Sequence, residues 1–168
     1  ESVSNHKYDT ADYMTVDSMF GGEEALQELI SEAKKRGMGI ILDGVFNHTG
    51  ADSIYFNRYG RYDSIGAYQS KTSPYYSWYD FQSFPTQYTC WWGIEILPRI
   101  HPDEKSLTDF FVGQHGVIKK YRRMGIRGFR LDVVEELSDN FVAKVKSALE
   151  DAGQKTPSIL YGEVWEDA

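Results

Sequence analysis

The sequence has a single cysteine, Cys90, and five prolines in 168 residues. One thiol excludes an internal disulfide framework and any zinc site built from several cysteines, which leaves Cys90 as a packed thiol. Lys and Arg are also in the minority, 18 against 25 Asp and Glu, for a net charge of −7. That balance argues against a nucleic-acid partner, whose phosphates demand clustered cations, and suits a neutral, sugar-like substrate. No apolar run approaches the length of a membrane span and no basic-then-apolar leader opens the chain, so no membrane partner is expected. Also missing are a Gly-rich phosphate loop ending in Lys-Ser or Lys-Thr, a His-Glu-x-x-His pair and a Gly-x-Ser-x-Gly elbow. The first residue is Glu1 rather than Met, and localisation is left unread.

What remains is an ordinary globular composition, 41% hydrophobic and 26% charged, with a strand-and-helix rhythm. Gly128-Phe129-Arg130-Leu131-Asp132-Val133 reads as a buried strand. Period-two geometry puts Arg130 and Asp132 on one face and Phe129, Leu131 and Val133 on the other. Upstream, Leu26, Leu29, Ile30 and Ala33 mark an amphipathic helix that Gly37 stops, and Met38 to Phe46 follows as a parallel strand covered on both faces. Leu107, Phe110, Phe111, Val117, Ile118 and Tyr121 give a second helix, with Ser106 and Asp109 as its capping pair and Gly125 closing it. Ser138 caps a third, whose inward face is Phe141, Val142, Val145, Ala148 and Leu149, and Ser158 to Glu163 is a last strand. The cation clusters Lys34-Lys35-Arg36, Lys119-Lys120 and Arg122-Arg123 read as solvated helix ends.

Strands alternating with helices predict a parallel α/β sheet. Between Tyr55 and Trp92, however, the rhythm is lost and 14 of the chain's 25 aromatics gather. So long a stretch is improbable as a bare loop, and an inserted subdomain over 49–105 is expected between barrel-like parts at 1–48 and 106–168. Its aromatics serve equally well as a small core or as a stacking surface, with Trp91 and Trp92 the best placed for ligand contact.

Asp132 and Glu163 lie 31 residues apart, about one strand–helix–strand unit, whereas Asp43 and Asp132 lie 89 apart because of the insertion. Carboxylates at equivalent ends of neighbouring strands, which run about 4.8 Å apart, match the separation of about 5 to 5.5 Å in retaining glycosidases. Arg130 is expected to favour an ionised Asp132. Burial among Tyr161, Val164 and Trp165 is expected to raise the pKa of Glu163, making it the acid. Spacing alone leaves a second reading open, in which the carboxylates hold Mg²⁺ in an enolase-type lyase or isomerase. A non-catalytic glucan-binding relative is a third.

Three ordered blocks, Asp43-Gly44-Val45-Phe46-Asn47-His48, Gly128-Phe129-Arg130-Leu131-Asp132 and Gly162-Glu163-Val164-Trp165, resemble blocks of the α-amylase family, glycoside hydrolase family 13. The resemblance implies strands 3 to 5 of a (β/α)₈ TIM barrel, with a subdomain inserted after strand 3. It implies Asp132 as nucleophile, Glu163 as general acid/base and Arg130 as the group holding the nucleophile charged. His48 would hydrogen-bond the sugar in the cleaved subsite and Tyr8 would stack under it, while Asp43 takes a structural hydrogen-bonding role. Trp91-Trp92-Gly93, Leu97-Pro98-Arg99-Ile100, Glu136 and Glu163-Val164-Trp165 are similar to the neopullulanase, cyclomaltodextrinase and maltogenic amylase branch. Glu136 is thereby added to the substrate-binding set, and Glu166 stands where that branch often has His.

The resemblance implies an α-glucan or maltooligosaccharide substrate and no cofactor for the chemistry. Asn47 occupies a position that ligates calcium in many members, but Val133-Val134-Glu135-Glu136 lack the Lys-His pair of calcium-dependent α-amylases, so a structural calcium stays open. The family's third carboxylate comes from a later strand and has no counterpart among these residues. Three strands of an eight-stranded barrel are expected to hydrolyse little alone and to self-associate.

Overall fold

The computed structural model describes Ser2 and residues 4–165; Glu166 lies outside them. In chain order the elements are α1 (Gly22–Lys35), β1 (Ile41–Gly44), β2 (Phe81–Ser83), β3 (Gln87–Tyr88), α2 (Lys105–Val112), α3 (Val117–Met124), β4 (Gly128–Leu131), α4 (Asp139–Glu150) and β5 (Ile159–Gly162). They fall into two units, one of residues 1–13 with 45–104 and one of residues 14–44 with 105–168. None of the described helices is long and apolar enough to cross a membrane.

The second unit holds the parallel sheet, ordered β1-β4-β5, with the four α-helices in the same unit. Register pairs Asp43 with Arg130, and Arg130 with Tyr161. Phe129 and Leu131 are buried on one side with Leu107, Phe111, Ile118, Phe141, Val145 and Leu149. The rings of Phe111 and Phe141 meet at 5.7 Å, edge to face. Ser138 caps α4 as the sequence predicts, its hydroxyl accepting the Phe141 N–H at 3.0 Å. β1 is shorter and less covered than expected, with Met38 exposed and Ile41 and Leu42 half-buried. Its ladder runs only where β4 lies alongside.

The helix expected through residues 106–124 is two helices, and Ser106 lies inside α2 rather than at its cap. The break is steric. A Cβ at Gly116 would sit 2.6 Å from the Phe111 carbonyl oxygen and 2.7 Å from that of Phe110, so only glycine lets α3 start this close to the end of α2.

The Lys119-to-Arg123 cluster is not the solvated helix end the sequence suggests. Lys119 is buried and meets Asp151 at 2.9 Å. Arg122, 1% exposed, donates to the carbonyl oxygens of Ile126, Leu149 and Thr156. Burying a guanidinium is tolerable because these carbonyls satisfy it. In return it fixes the chain just before β4 and just before β5.

The first unit has little regular structure: the β2–β3 pair, antiparallel, and isolated bridges Ser2–Thr10, His48–Arg99, Tyr79–Ile100 and Cys90–Pro98. Aromatic packing takes the place of a sheet. Phe56, fully buried, meets Tyr79 at 4.8 Å and Tyr88 at 4.7 Å. Tyr55 meets Trp78 at 5.3 Å. Burial of such rings supplies the hydrophobic stabilisation that so irregular a chain needs. Most aromatics between Tyr55 and Trp92 thus build a core, and the exceptions stand out: Tyr59 is 54% and Trp92 64% exposed.

Where β4 and β5 pair, a Cβ on Gly128 would fall 1.6 Å from the Ile159 carbonyl oxygen. Gly128→Ala is therefore expected to part the two strands and destabilise the fold by about 3 kcal/mol, the upper range for overpacking. Urea denaturation measures it, and an unchanged midpoint would contradict the close approach.

Candidate active site

Arg130, Asp132 and Glu163 gather at the carboxyl ends of β4 and β5. The last paired residues are Leu131 and Gly162, so Asp132 and Glu163 are the next step along each strand. Glu163 N–H donates to the Leu131 carbonyl at 2.9 Å and Asp132 N–H to that of Gly44 at 3.1 Å, which carries the register past the strand ends. The alternation predicted for β4 holds: Phe129 and Leu131 go to the core, and Arg130 points to the side where the charges are.

One guanidinium joins three carboxylates. Arg130 Nη1 lies 2.7 Å from Asp43 Oδ1 and 2.8 Å from Asp132 Oδ1, and Nη2 lies 2.8 Å from Glu163 Oε1. Asp132 and Glu163 therefore point to the same side of the sheet. Asp43 is in the cluster through its cross-strand register with Arg130, in keeping with a hydrogen-bonding role. A guanidinium among three carboxylates stands where a divalent cation would need to be, which weighs against the Mg²⁺ reading.

The electrostatics run opposite to the expectation from sequence. Burial pushes the Asp132 carboxyl above the ordinary range, although the hydrogen bond and charge of Arg130 pull it down. Glu163 is lowered instead, first by a hydrogen bond from the Trp165 side chain, then by the Val133 N–H and Arg130. The reason is exposure: Tyr161, Val164 and Trp165 are each more than half exposed and cannot desolvate Glu163. Burial also pulls Arg130 down, but its hydrogen bond to Asp43 and the other carboxylate interactions outweigh this and raise it.

Val133, directly after Asp132, is left-handed at φ 42° and ψ 61°. For a β-branched residue this costs on the order of 1–3 kcal/mol. It turns the chain so that the Val133 N–H reaches Glu163 Oε2 at 3.3 Å and the Val134 N–H reaches the Glu163 carbonyl at 3.0 Å. Nothing in the sequence announces this turn, because valine is the residue least suited to it. Glu136 follows in a short 3-10 turn, half-buried, while the neighbouring Glu135 accepts the Trp165 N–H at 3.1 Å.

The remaining candidates belong to the first unit. His48, 1% exposed, has Nε2 2.9 Å from the Tyr8 carbonyl oxygen. Its ring lies 5.2 Å from Trp91, which stacks on Trp92 at 5.0 Å and 14°. Tyr8, 37% exposed, has its ring 6.2 Å from that of His6. Asn47 is 2% exposed, and its carbonyl accepts the Ile100 N–H at 3.0 Å. Calcium wants six to eight oxygens with carboxylates among them. Among the described residues no group of three or more His, Cys, Asp or Glu side chains converges as a metal site.

Residues 1–159 match the family profile described as alpha amylase, catalytic domain. The chain is 43% identical to an amylopullulanase of Thermoanaerobacterium saccharolyticum, over all of this chain and 14% of that protein. It is 32% identical to neopullulanase 2 of Thermoactinomyces vulgaris, over 99% of this chain and 28% of that one. The crystal structure of Ttha1563 from Thermus thermophilus superposes with a TM-score of 0.85 at 32% identity, covering 99% of this chain and 34% of that one. The chain thus spans a seventh to a third of the length of these three proteins, and it belongs to the alpha-amylase catalytic-domain family.

Proposed function

We propose that residues 1–168 carry the nucleophile and the general acid/base of a retaining α-glucan hydrolase or transglycosylase that cleaves α-1,4 and some α-1,6 links. The observation that carries this reading is the sharing of Arg130 by Asp132 and Glu163, each 2.8 Å from it, at the ends of adjacent parallel strands. In double displacement the Asp132 carboxylate attacks the anomeric carbon while Glu163 gives its proton to the departing glycosidic oxygen. Glu163 then takes a proton from water, or from a sugar hydroxyl in transfer, and that oxygen displaces Asp132. His48 and Tyr8, tied by the Nε2 contact to the Tyr8 carbonyl, serve the sugar in the cleaved subsite, and Glu136 lies one short turn beyond the nucleophile. The chemistry needs no cofactor.

The charge state also bears on what the chain does alone. An acid must hold a proton at working pH, yet Glu163 is lowered here and Asp132 raised. Bringing Glu163 into its role takes a cover that desolvates it and loosens it from Arg130, and the described residues do not provide one. The 168-residue chain should therefore release reducing sugar from maltodextrin at or near background. Its sheet ends at β1 and β5, with Ile159, Tyr161, Val164 and Trp165 exposed. A hollow of about 410 Å³ beside them is lined by Val134, Val142 and Leu160. These edges favour self-association.

Asp132→Asn in a chain extended to a whole barrel is expected to lower turnover by at least about a thousand-fold while glucan binding stays within about threefold. Normal turnover in that variant would remove the nucleophile assignment. A maltodextrin assay in which the 168-residue chain matched the rate of a complete relative would overturn the claim of inactivity. For assembly the measurement is light scattering, and a monodisperse monomer contradicts the expected association.

Stability should register the cluster too. A raised Asp132 contributes stability fully below the ordinary value of 3.8 and loses it as pH climbs through the raised value. A lowered Glu163 contributes above 4.5 and loses its share as pH falls through the lowered value, by little because the group is exposed. Arg130→Met leaves three carboxylates without their shared cation. We expect a loss of about 2–3 kcal/mol at pH 7 and a smaller one at pH 3, below the raised value of Asp132, where that carboxyl is protonated. Equal losses at both pH values in thermal melts would show that the guanidinium is not neutralising them.

A further inference from the structure

Trp91 and Trp92 are indistinguishable in sequence, and the structure separates them. Trp91 is half-buried between two rings, His48 at 5.2 Å and Trp92 at 5.0 Å. Trp92 is 64% exposed, in a unit where Trp78 is buried and every tyrosine and phenylalanine but Tyr8 and Tyr59 is buried or half-buried. Exposing so much of the largest apolar side chain forgoes the stabilisation that its burial would give.

The backbone adds a second, independent cost. Trp92 has φ 51° and ψ 28°, the left-handed region that suits glycine or asparagine and strains a residue with a bulky side chain. The surrounding loop holds it there. Cys90 bridges Pro98, Trp91 N–H donates to the Leu97 carbonyl at 2.9 Å, and Leu97 N–H donates to that of Ile94 at the same distance. The ring is therefore presented by a fixed loop, with its plane set by the near-parallel Trp91 at 14°. A residue kept only for packing would not combine exposure, strain and a stacked support.

We infer that Trp92 is a stacking platform for one glucosyl ring of an α-glucan, and that Trp91 is its pedestal, orienting the platform without serving as the contact face. The identity of the sugar rests on the glycosidase reading above; the platform itself rests on exposure, strain and stacking. A flat aromatic face matches the C–H face of a pyranose, whose hydroxyls point outward around its edge. The ligand class is thus a neutral, hydroxyl-rich ring with an apolar face.

The test uses the 168-residue chain and maltoheptaose, with tryptophan fluorescence and titration calorimetry as readouts. The unsubstituted chain should bind. Trp92→Gly and Trp92→Asn should weaken binding at least about tenfold, equivalent to about 1.4 kcal/mol, while melting at the same or a higher temperature because the left-handed strain is relieved. Trp92→Phe, which keeps a flat ring, should stay within about threefold. No binding at millimolar maltoheptaose, a Trp92→Gly variant that binds as the parent does, or one that melts well below it would each overturn the platform. The nucleophile assignment fails separately: if Asp132→Asn in the extended barrel turns over normally while the Trp92 variants lose binding, Asp132 loses its role and the platform stands.

Discussion

The guanidinium of Arg130 is the interaction on which the second unit's carboxylate cluster depends. Three carboxylates brought to one side of a parallel sheet repel each other and lose water together, which no single hydrogen bond offsets. A planar fork with five donors can address all three at once, and a lysine in its place could not keep the same geometry. The sheet in turn places the fork. Because β4 lies between β1 and β5, a side chain at its centre reaches an acid on each neighbour as well as one two residues ahead on its own strand. The position of Arg130 in the middle strand, more than its mere presence near Asp132, makes the cluster possible.

The two units solve the problem of a stable core differently. One uses alternation, with Phe129 and Leu131 on the apolar side of a strand and four helices to complete the layer. The other has almost no ladder and relies on ring-to-ring contact, with Phe56 at its centre. This difference decides where apparent excess is meaningful. In the first unit an exposed aromatic is an exception to the rule that builds the core, whereas a buried charge such as Arg122 is the exception in the second. The two exceptions differ in consequence: Trp92 is the basis of the platform proposed above, and Arg122 fixes the chain ahead of two strands.

Much of the architecture was legible because it is periodic. Phe141, Val145, Ala148 and Leu149 announce a helix face, Ser138 its cap, and the runs around Arg130 and Leu160 their strands. The three motif blocks pointed to the family. What escaped is set by long-range geometry. The split between α2 and α3 depends on carbonyl oxygens that only folding brings beside Gly116. The burial of Lys119 and Arg122 depends on carbonyls and a carboxylate from residues 126 to 156. The reversed charge tendencies of Asp132 and Glu163 come from which of them the surrounding chain covers, and the apolar neighbours of Glu163 in sequence turn outward. Left-handed valine and tryptophan residues carry no local signal at all, since their propensities argue against the conformation they adopt.

The chain crosses between the two units three times, after residues 13, 44 and 104. Each unit is therefore assembled from pieces remote in sequence, and the Asp43–Arg130 contact closes a loop of 87 residues. Loop-closure entropy grows only slowly with length, but such a contact waits on everything between. During synthesis β1 waits for its pairing with β4 until the whole of residues 45–127 has been made. The Asp43 carboxylate therefore meets its cation only after the whole intervening stretch of the other unit, residues 45–104, has been made.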